Sequence, residues 1–421
     1  MKRINPVRKT TNYVKKKIVG QESQTKRLSN GIKILAIETS CDETGAAILE
    51  AKGNFKNPRF KILANIVSSQ IKIHAPWGGV VPSLAKREHQ ANLILVLKKA
   101  LKKSNLLISN SQFLISKQTE NNINKILKRE PELLKKFFKE ISKIKKPKID
   151  AIAVTSGPGL EPALWTGVNF AKALALIWEK PLIAANHLEG HILSVFLNKQ
   201  EFLISFPALA LLISGGHTEL VLMKQFLKYK VIGRTRDDAA GEAFDKTAKL
   251  LGLGYPGGPA VSALAKTAIS KSELLQPQIK LPRPMIDSRD FDFSFSGLKT
   301  AVLYLVRKLP ELTPEIKAQI CREFQQAAVD VLIAKTLKAA QKYKPKTIIL
   351  GGGVAANQEL RKQIKKELNK KFPKILLRLP EIQFAGDNAA MIAAVGCLKA
   401  LKKIFVKNIN TLKADGNLKL N

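Results

Sequence analysis

Cysteine is nearly absent from this sequence. The three present, Cys41, Cys321 and Cys397, are widely spaced and odd in number, which excludes both a disulfide framework and a CxxC metal site. Long hydrophobic runs are missing as well. No stretch approaches the roughly 18 to 20 apolar residues that cross a bilayer, and the first residues lack a hydrophobic signal region; membrane-spanning and secreted classes are set aside and a cytoplasmic location is expected. Acids are few, 33 Asp and Glu against 71 Lys and Arg, and the formal net charge is +38. Two sources account for such an excess. Lysine-rich codon usage loads every surface, and a polyanionic partner, RNA or DNA, draws on phosphate contacts and counterion release. What is plentiful is apolar material: 45% of 421 residues are hydrophobic, enough for two domains of ordinary size, or three if an insertion folds by itself.

The first 30 residues hold nine basic residues and one acid, Glu22, with no apolar period, and read as a disordered basic arm, 1–31. A cleaved organellar targeting segment has the same composition. From Ile32 the pattern changes. Ile32 to Ile37 reads as a strand, Glu38-Thr-Ser-Cys-Asp-Glu-Thr44 as a turn, and Gly45 to Leu49 as a returning strand, giving a hairpin with hydroxyls and carboxylates at its tip. Residues 102–149 carry 13 Lys or Arg, four acids and no glycine; they read as a basic helical insertion, about 105–145, interrupted at Pro131. Strands at 149–154 and 181–185 then alternate with helices at 164–178 and 187–196, the signature of an α/β domain.

The pattern begins again at Pro207. Pro207 to Ile213 reads as a strand, Ser214-Gly-Gly-His-Thr218 as a turn, and Glu219 to Met223 as the return, so the first hairpin is repeated. Helices follow near 241–251 and 314–343, then a strand from Thr347 ending in Gly351-Gly-Gly-Val-Ala-Ala-Asn357, and a last helix from Asn388 to about Lys403. Two similar α/β halves facing a cleft resemble the duplicated actin-like (ASKHA, RNase H-like) two-lobe fold. The expected lobes are 32–204 and 205–387, with 388–405 packing back on the first and 406–421 as a tail.

His187-Leu-Glu-Gly-His191 places two imidazoles one helical turn apart on one face, a spacing that lets both bind one ion. A third ligand must come from elsewhere. The pattern is not the zincin HExxH, because Glu189 lies two residues after the first histidine and points away from a water held by both rings. Glycines at 215–216 and 351–353 follow apolar strands, where backbone amides can form an anion-binding nest. Asp237 to Lys246 gathers acids at a helix start, suited either to ribose hydroxyls or to capping. Between Asp287 and Thr300, phenylalanine alternates with polar residues, which predicts a strand burying Phe291, Phe293 and Phe295; packing leaves Ser294, Ser296 and Lys299 unexplained.

Taken together, the segments 38–44, Gly78-Gly-Val-Val-Pro82, Thr155-Ser-Gly-Pro-Gly159, Asn186 to His191, 214–218, Asp238-Ala-Ala-Gly-Glu-Ala-Phe-Asp-Lys246, Ser294-Phe-Ser-Gly-Leu-Lys299, 351–357 and Asp387-Asn388 resemble the tRNA N6-adenosine threonylcarbamoyltransferase family of the bacterial TsaD type, formerly called O-sialoglycoprotein endopeptidases, over roughly residues 32–403. The resemblance implies transfer of a threonylcarbamoyl group from threonylcarbamoyl-adenylate to N6 of adenosine 37, in the anticodon loop of tRNAs that read codons beginning with A. It implies His187, His191 and Asp387 as ligands of one divalent ion, Fe2+ foremost and Zn2+ or Mg2+ otherwise. It places Leu212, Ile213, Ser214, Gly215 and Gly216 against the adenylate, and Asp245, Gly258 and Asn357 around its nucleotide. A paralogous actin-like partner of the TsaB type and a small P-loop ATPase of the TsaE type are implied too. Asp42 and Glu43 are candidates for the proton acceptor by their place at the hairpin tip alone. Gly386, Ala389, Ser83 and Lys86 depart from the family pattern, and neither the arm nor the 105–145 segment has an expected counterpart in it. The bacterial form of residues 238–246 speaks against a transit peptide. Two other classes stay open at this level: a metal-dependent glycoprotease, which the missing HExxH disfavours, and a non-catalytic actin-like nucleotide-binding scaffold.

Overall fold

The buried apolar runs separated by polar turns assemble into two five-stranded sheets of the same topology. The computed structural model describes residues 31–108, 115–197, 204–268 and 279–420; the basic arm lies outside them. In the first sheet β1 (Ile32–Glu38) pairs antiparallel with β2 (Glu43–Asn54), and β2 pairs antiparallel with β3 (Asn57–Ser69). On its other side β1 runs parallel to β4 (Ala151–Gly157), which pairs with β5 (Leu182–Asn186). The second sheet repeats this order. Strand β6 (Ala208–Ile213) pairs antiparallel with β7 (Thr218–Gln225), which pairs with β8 (Lys228–Arg234); its other neighbours are β9 (Thr347–Gly351) and then β10 (Leu376–Arg378), both parallel. The duplication read from the two hairpins thus extends to all ten strands.

The helices that matter for the site are α1 (Pro82–Lys103), α2 (Lys117–Ile126), α3 (Pro131–Glu140), α4 (Glu161–Ile177), α5 (His187–Leu193), α6 (Ala240–Leu250), α7 (Gly257–Thr267), α8 (Ser296–Lys308), α9 (Pro314–Tyr343), α10 (Gln358–Lys371) and α11 (Ala389–Leu401). Alternation along β1 sends Leu35 and Ile37 to the layer containing α1 and α4, and Ile34 and Ala36 to the layer containing α5 and α11. Strand β6 divides likewise: Leu209, Leu211 and Ile213 face α6 and α9, whereas Ala208, Ala210 and Leu212 face α5 and α11. Both sheets are therefore covered on both faces, as mixed sheets with parallel crossovers require, and the middle layer is shared between the lobes.

Helix α11 suits that position because it is built from small residues, Ala389, Ala390, Ala393, Ala394, Gly396 and Ala400, which let it lie close to β1. A Cβ on Gly396 would come within 2.7 Å of the Ala153 Cβ and 2.9 Å of an Ile34 methyl. Both neighbours sit in hydrogen-bonded strands that cannot yield. Gly396→Val is expected to lower the unfolding free energy by about 3 kcal/mol through overpacking; urea titration measures it, and an unchanged midpoint would refute the packing argument.

Three expectations need correction. The basic segment near 105–145, read as an insertion, is built into the first lobe: Ile123, Leu127, Leu133, Phe137 and Ile141 are fully buried in its core, so its lysines line the outer faces of two integral helices. Residues 291–295 form no strand beyond a single bridge between Thr235 and Phe293, although all three phenylalanines are buried. The reason is Asp237, which accepts from the Ser294 and Ser296 hydroxyls at 2.5 and 2.6 Å and from the Phe295 and Ser296 amides at 2.8 and 3.2 Å, starting α8 there. Lys299 pairs with Asp238, so the polar residues that packing left unexplained tie two segments together. Finally, the residues after α11 are strapped to the first lobe: the Val406 amide donates to Leu182, the Asp415 amide to Ser156, and the Gly159 amide to Gly416.

Candidate metal centre between the lobes

Strand β5 ends at Asn186, whose side chain caps α5 by accepting from the Leu188 amide at 2.8 Å. That cap starts the helix at His187. One turn later comes His191, and the two rings stand nearly perpendicular, 84°, with centroids 4.6 Å apart. Asp387 reaches them from the chain just before α11, where Asn388 caps the helix. Its Oδ1 lies 3.3 Å from His187 Nε2 and 3.2 Å from His191 Nε2. Among the described residues these three form the one group whose ligand atoms, all within 4.8 Å of one another, could hold a metal ion. The contact to His191 is not an aligned hydrogen bond, and neither ring nitrogen of this fully buried side chain has a hydrogen-bond partner among the described residues. An orphaned imidazole nitrogen beside a carboxylate and a second imidazole is a donor set that fits a divalent ion.

The sequence reading missed the residue behind the first ligand. Glu38, the last residue of β1, is fully buried. It accepts from the Thr155 hydroxyl at 2.7 Å and the Ser40 amide at 2.5 Å, and its Oε2 lies 3.2 Å from His187 Nδ1. A carboxylate on one ring nitrogen places the proton there and leaves Nε2 as the ligand. A buried acid at the end of an otherwise apolar strand is the signal that could have revealed it.

Electrostatics follow from this crowding. Burial works against a proton on His187, but the charges of Asp387 and Glu38 outweigh it and hold the imidazole well above its ordinary range. Burial likewise opposes ionisation of Asp387, and the two histidines overcome it, keeping the carboxyl ionised far below the usual range. His191 is shifted down by burial. His187 thus carries a proton at neutral pH when no cation is bound, and a cation must displace it. Metal loading at pH 7 is expected to release about one proton per site, and affinity to rise with pH until the raised His187 value is passed. Calorimetry in buffers of different ionisation enthalpy reads the release; identical heats in all of them would contradict it.

Around the triad the other expected residues are placed as follows. Asp42 and Glu43 sit at the β1–β2 tip, which His89 of α1 buttresses through Thr44 Oγ1 at 2.7 Å and the Cys41 carbonyl at 2.9 Å. Burial first, then the charges of Asp387 and Asp42, raise the Glu43 carboxyl well above the usual range, so it holds a proton there. Leu212 and Ile213 are buried in β6 and can offer a ligand only their backbone. Ser214 closes a tight turn with His217; Gly215 and Gly216 are exposed, and a Cβ on either would meet nothing within 4 Å. His217, which the reading did not single out, is shifted down to about 4 by burial and by the nearby His187 and His191, and so faces the triad as a neutral ring. Asp245 accepts from the first amide of α7, Gly257, at 2.7 Å; its carboxyl is raised by burial and, across the cleft, by Asp42. Gly258 opens to free space. Asn357 caps α10 through Leu360 and donates to Ser262 and Gln325. Its side chain is committed to the fold, which leaves its backbone for any ligand.

Glycine conformation matters at Gly352, where φ is +91° and the Ile213 carbonyl crowds the space a Cβ would take; the turn after β9 must approach β6 this closely to lie beside the 214–216 turn. Glu189 turns away from the triad to Lys399 and cannot serve as a base for a water there.

The arrangement brings two imidazoles and a carboxylate together between duplicated lobes, with the glycine turns at 214–216 and 351–353 beside each other. The sequence model of TsaD, described as tRNA N6-adenosine threonylcarbamoyltransferase, matches residues 61–112 and 123–394; only 113–122 falls between the matched parts, so most of the basic helical segment has a family counterpart after all. A tRNA N6-adenosine threonylcarbamoyltransferase of Thermosipho africanus is 43% identical over 387 residues, 92% of this chain and 99% of that one. That of Syntrophomonas wolfei is 45% identical over 361 residues, 86% and 90% of the two chains. Among solved structures, T. kodakarensis HypF aligns over 90% of this chain and 49% of its own at 13% identity and a TM-score of 0.48, a likeness too weak to carry an argument. With the match spanning both lobes, the chain belongs to the tRNA N6-adenosine threonylcarbamoyltransferase family.

Proposed function

We propose that the protein transfers the threonylcarbamoyl group of threonylcarbamoyl-adenylate to N6 of adenosine 37 in tRNAs reading codons that begin with A, forming t6A and releasing AMP. The observation that carries the reading is the convergence of His187, His191 and Asp387, from two distant parts of the chain, beside the glycine turns at 214–216 and 351–353. In the reaction the N6 lone pair attacks the carbamoyl carbon, the bond from that carbon to the phosphate oxygen breaks with its electrons leaving on AMP, and the N6 proton is lost.

His187, His191 and Asp387 would hold one divalent ion, Fe2+ by family likeness, which would supply Lewis-acid stabilisation of developing negative charge. The rest is the work of the chain. Glu38 keeps the Nδ1 proton of His187 in place. The amides at 214–216 and 351–353 are suited to phosphate oxygens, and Asp245 and Gly258 border the space for the nucleoside. Fixing both substrates in one orientation provides a large share of the acceleration. The target base belongs to a single-stranded loop, from which it can be splayed out, and the +38 charge suits the surrounding phosphates.

A TsaB-type partner and a TsaE-type ATPase belong to the same reading; the exposed apolar side chains Val67, Ile73, Trp77 and Leu95 of the first lobe support a protein partner there. No helix among the described residues is long and apolar enough to cross a membrane, in keeping with work in the cytoplasm. Reconstitution with the adenylate, both partners and unmodified tRNA, followed by nucleoside mass spectrometry, tests the proposal; tRNA that stays unmodified while the adenylate remains intact would overturn it.

A further inference from the structure

We propose that Glu189 and Lys399 are a positioning pair that sets the distance between the two helices on which the metal ligands are mounted. The inference rests on the reading of the triad as a metal centre. Lys399 Nζ lies 2.9 Å from Glu189 Oε2, with the two side chains 18% and 8% exposed, and the same ammonium donates to the Ala184 carbonyl at 3.1 Å. Ala184 is in β5, two residues before the Asn186 cap. One cation therefore touches the strand that leads into His187 and the helix that carries both histidines, and it is itself rooted in the helix that starts two residues after Asp387.

The placement on α5 is selective. His187 and His191 share one face, and Glu189, halfway between them, projects from the opposite one, so the short helix is gripped on both sides. Between the grips there is no slack: a Cβ on Gly190 would come within 2.9 Å of Met391 and 3.0 Å of Ile392 of α11. A hydrocarbon pair could fill the same volume, and a buried ion pair is seldom more stable than such a replacement because both charges must be desolvated. What a charge contact adds is a point of attachment, which apolar packing lacks. The Glu189–Lys399 contact fixes how far α5 stands from α11, and with it the reach from His187 and His191 to Asp387.

The test uses the full chain with Co2+ as the probe, because its visible spectrum reports ligand geometry. Affinity is read by chelator competition and stability by thermal unfolding, for Glu189→Gln, Lys399→Met and the double variant. Each single change is expected to weaken Co2+ binding roughly 10- to 100-fold, the usual effect of losing a group that orients ligands, and to alter the visible band. The double variant leaves no unpaired buried charge; it is expected to regain thermal stability yet bind Co2+ about tenfold more weakly than the parent. That split is what a merely structural pair would not produce. Recovery of both stability and affinity in the double variant, or an unchanged spectrum and affinity throughout, would overturn the proposal. If single variants fail to fold, the double variant alone decides. Asp387→Ala serves as the control: Co2+ binding undiminished there would sink the metal-centre reading itself, a failure distinct from that of the pair.

Discussion

Asp387→Ala is expected to strip the protein of its metal and to reduce t6A formation by roughly a thousandfold, the equivalent of several kcal/mol of charge stabilisation at 1.36 kcal/mol per decade. The carboxylate is the one ligand from outside α5, and its Oδ1 is the atom that both Nε2 atoms face. Nothing else among the described residues bridges them. The fold should survive, because the cap of α11 is the Asn388 side chain, which accepts from the Met391 amide at 3.1 Å. Metal content by elemental analysis, circular dichroism, and nucleoside mass spectrometry of reconstituted reactions together check this. Full transfer by a folded, metal-free variant would show that the triad is not the reactive centre.

A second large effect is expected at Glu38, although it touches no substrate. Glu38→Gln keeps the shape and one acceptor oxygen for the Ser40 amide, but it puts an NH2 where Oε2 faced Thr155 and His187. The Thr155 hydroxyl can turn to accept from it, whereas the charge that holds His187 in its ligand tautomer is gone. Metal affinity should fall about 10- to 100-fold. Glu38→Ala goes further, leaving the Thr155 hydroxyl and the Ser40 amide without this buried acceptor, at about 1 to 3 kcal/mol for each unsatisfied group, and leaving His187 Nδ1 only the Ser40 hydroxyl, 3.1 Å away. The raised His187 value should relax toward the ordinary one in both variants, since Glu38 contributes to raising it. The two substitutions are separable: Gln should lower affinity with little change in the urea midpoint, whereas Ala should lower both. A Gln variant with unaltered affinity would remove Glu38 from the account of the site.

Much of this architecture was legible in local pattern. The two hairpins announced themselves by apolar runs around polar tips, and the histidine pair by its spacing among only five histidines. Asp387 was not legible in that way. It lies 200 residues from His187 in a stretch with no periodicity, and only the family resemblance named it; the fold supplies the reason, bringing the start of α11 against α5. Glu38 and His217 were hidden for a related cause, since each sits inside a motif whose other members drew attention, and the groups that tie Glu38 to the site, Thr155 and His187, lie far along the chain, as do the histidines that act on His217. The strand assigned to 291–295 failed because alternation reports which side chains are buried, not what pairs with the backbone; Asp237 captures the Phe295 amide and Asp290 the Asp292 amide, which leaves only the single bridge at Phe293. The capping role of the Asn357 side chain was not legible, because it depends on where the next helix begins.

The middle layer bears on how the molecule could be taken apart. Helix α11 is the last in the chain yet fills the space between both sheets, so a polypeptide severed at Ser205 would yield a front piece missing its inner wall and a back piece carrying a helix with nowhere to dock. Neither would be a free-standing module. Made separately and mixed, the halves should regain structure only by complementing one another, which is how a split reporter built on this scaffold would have to work.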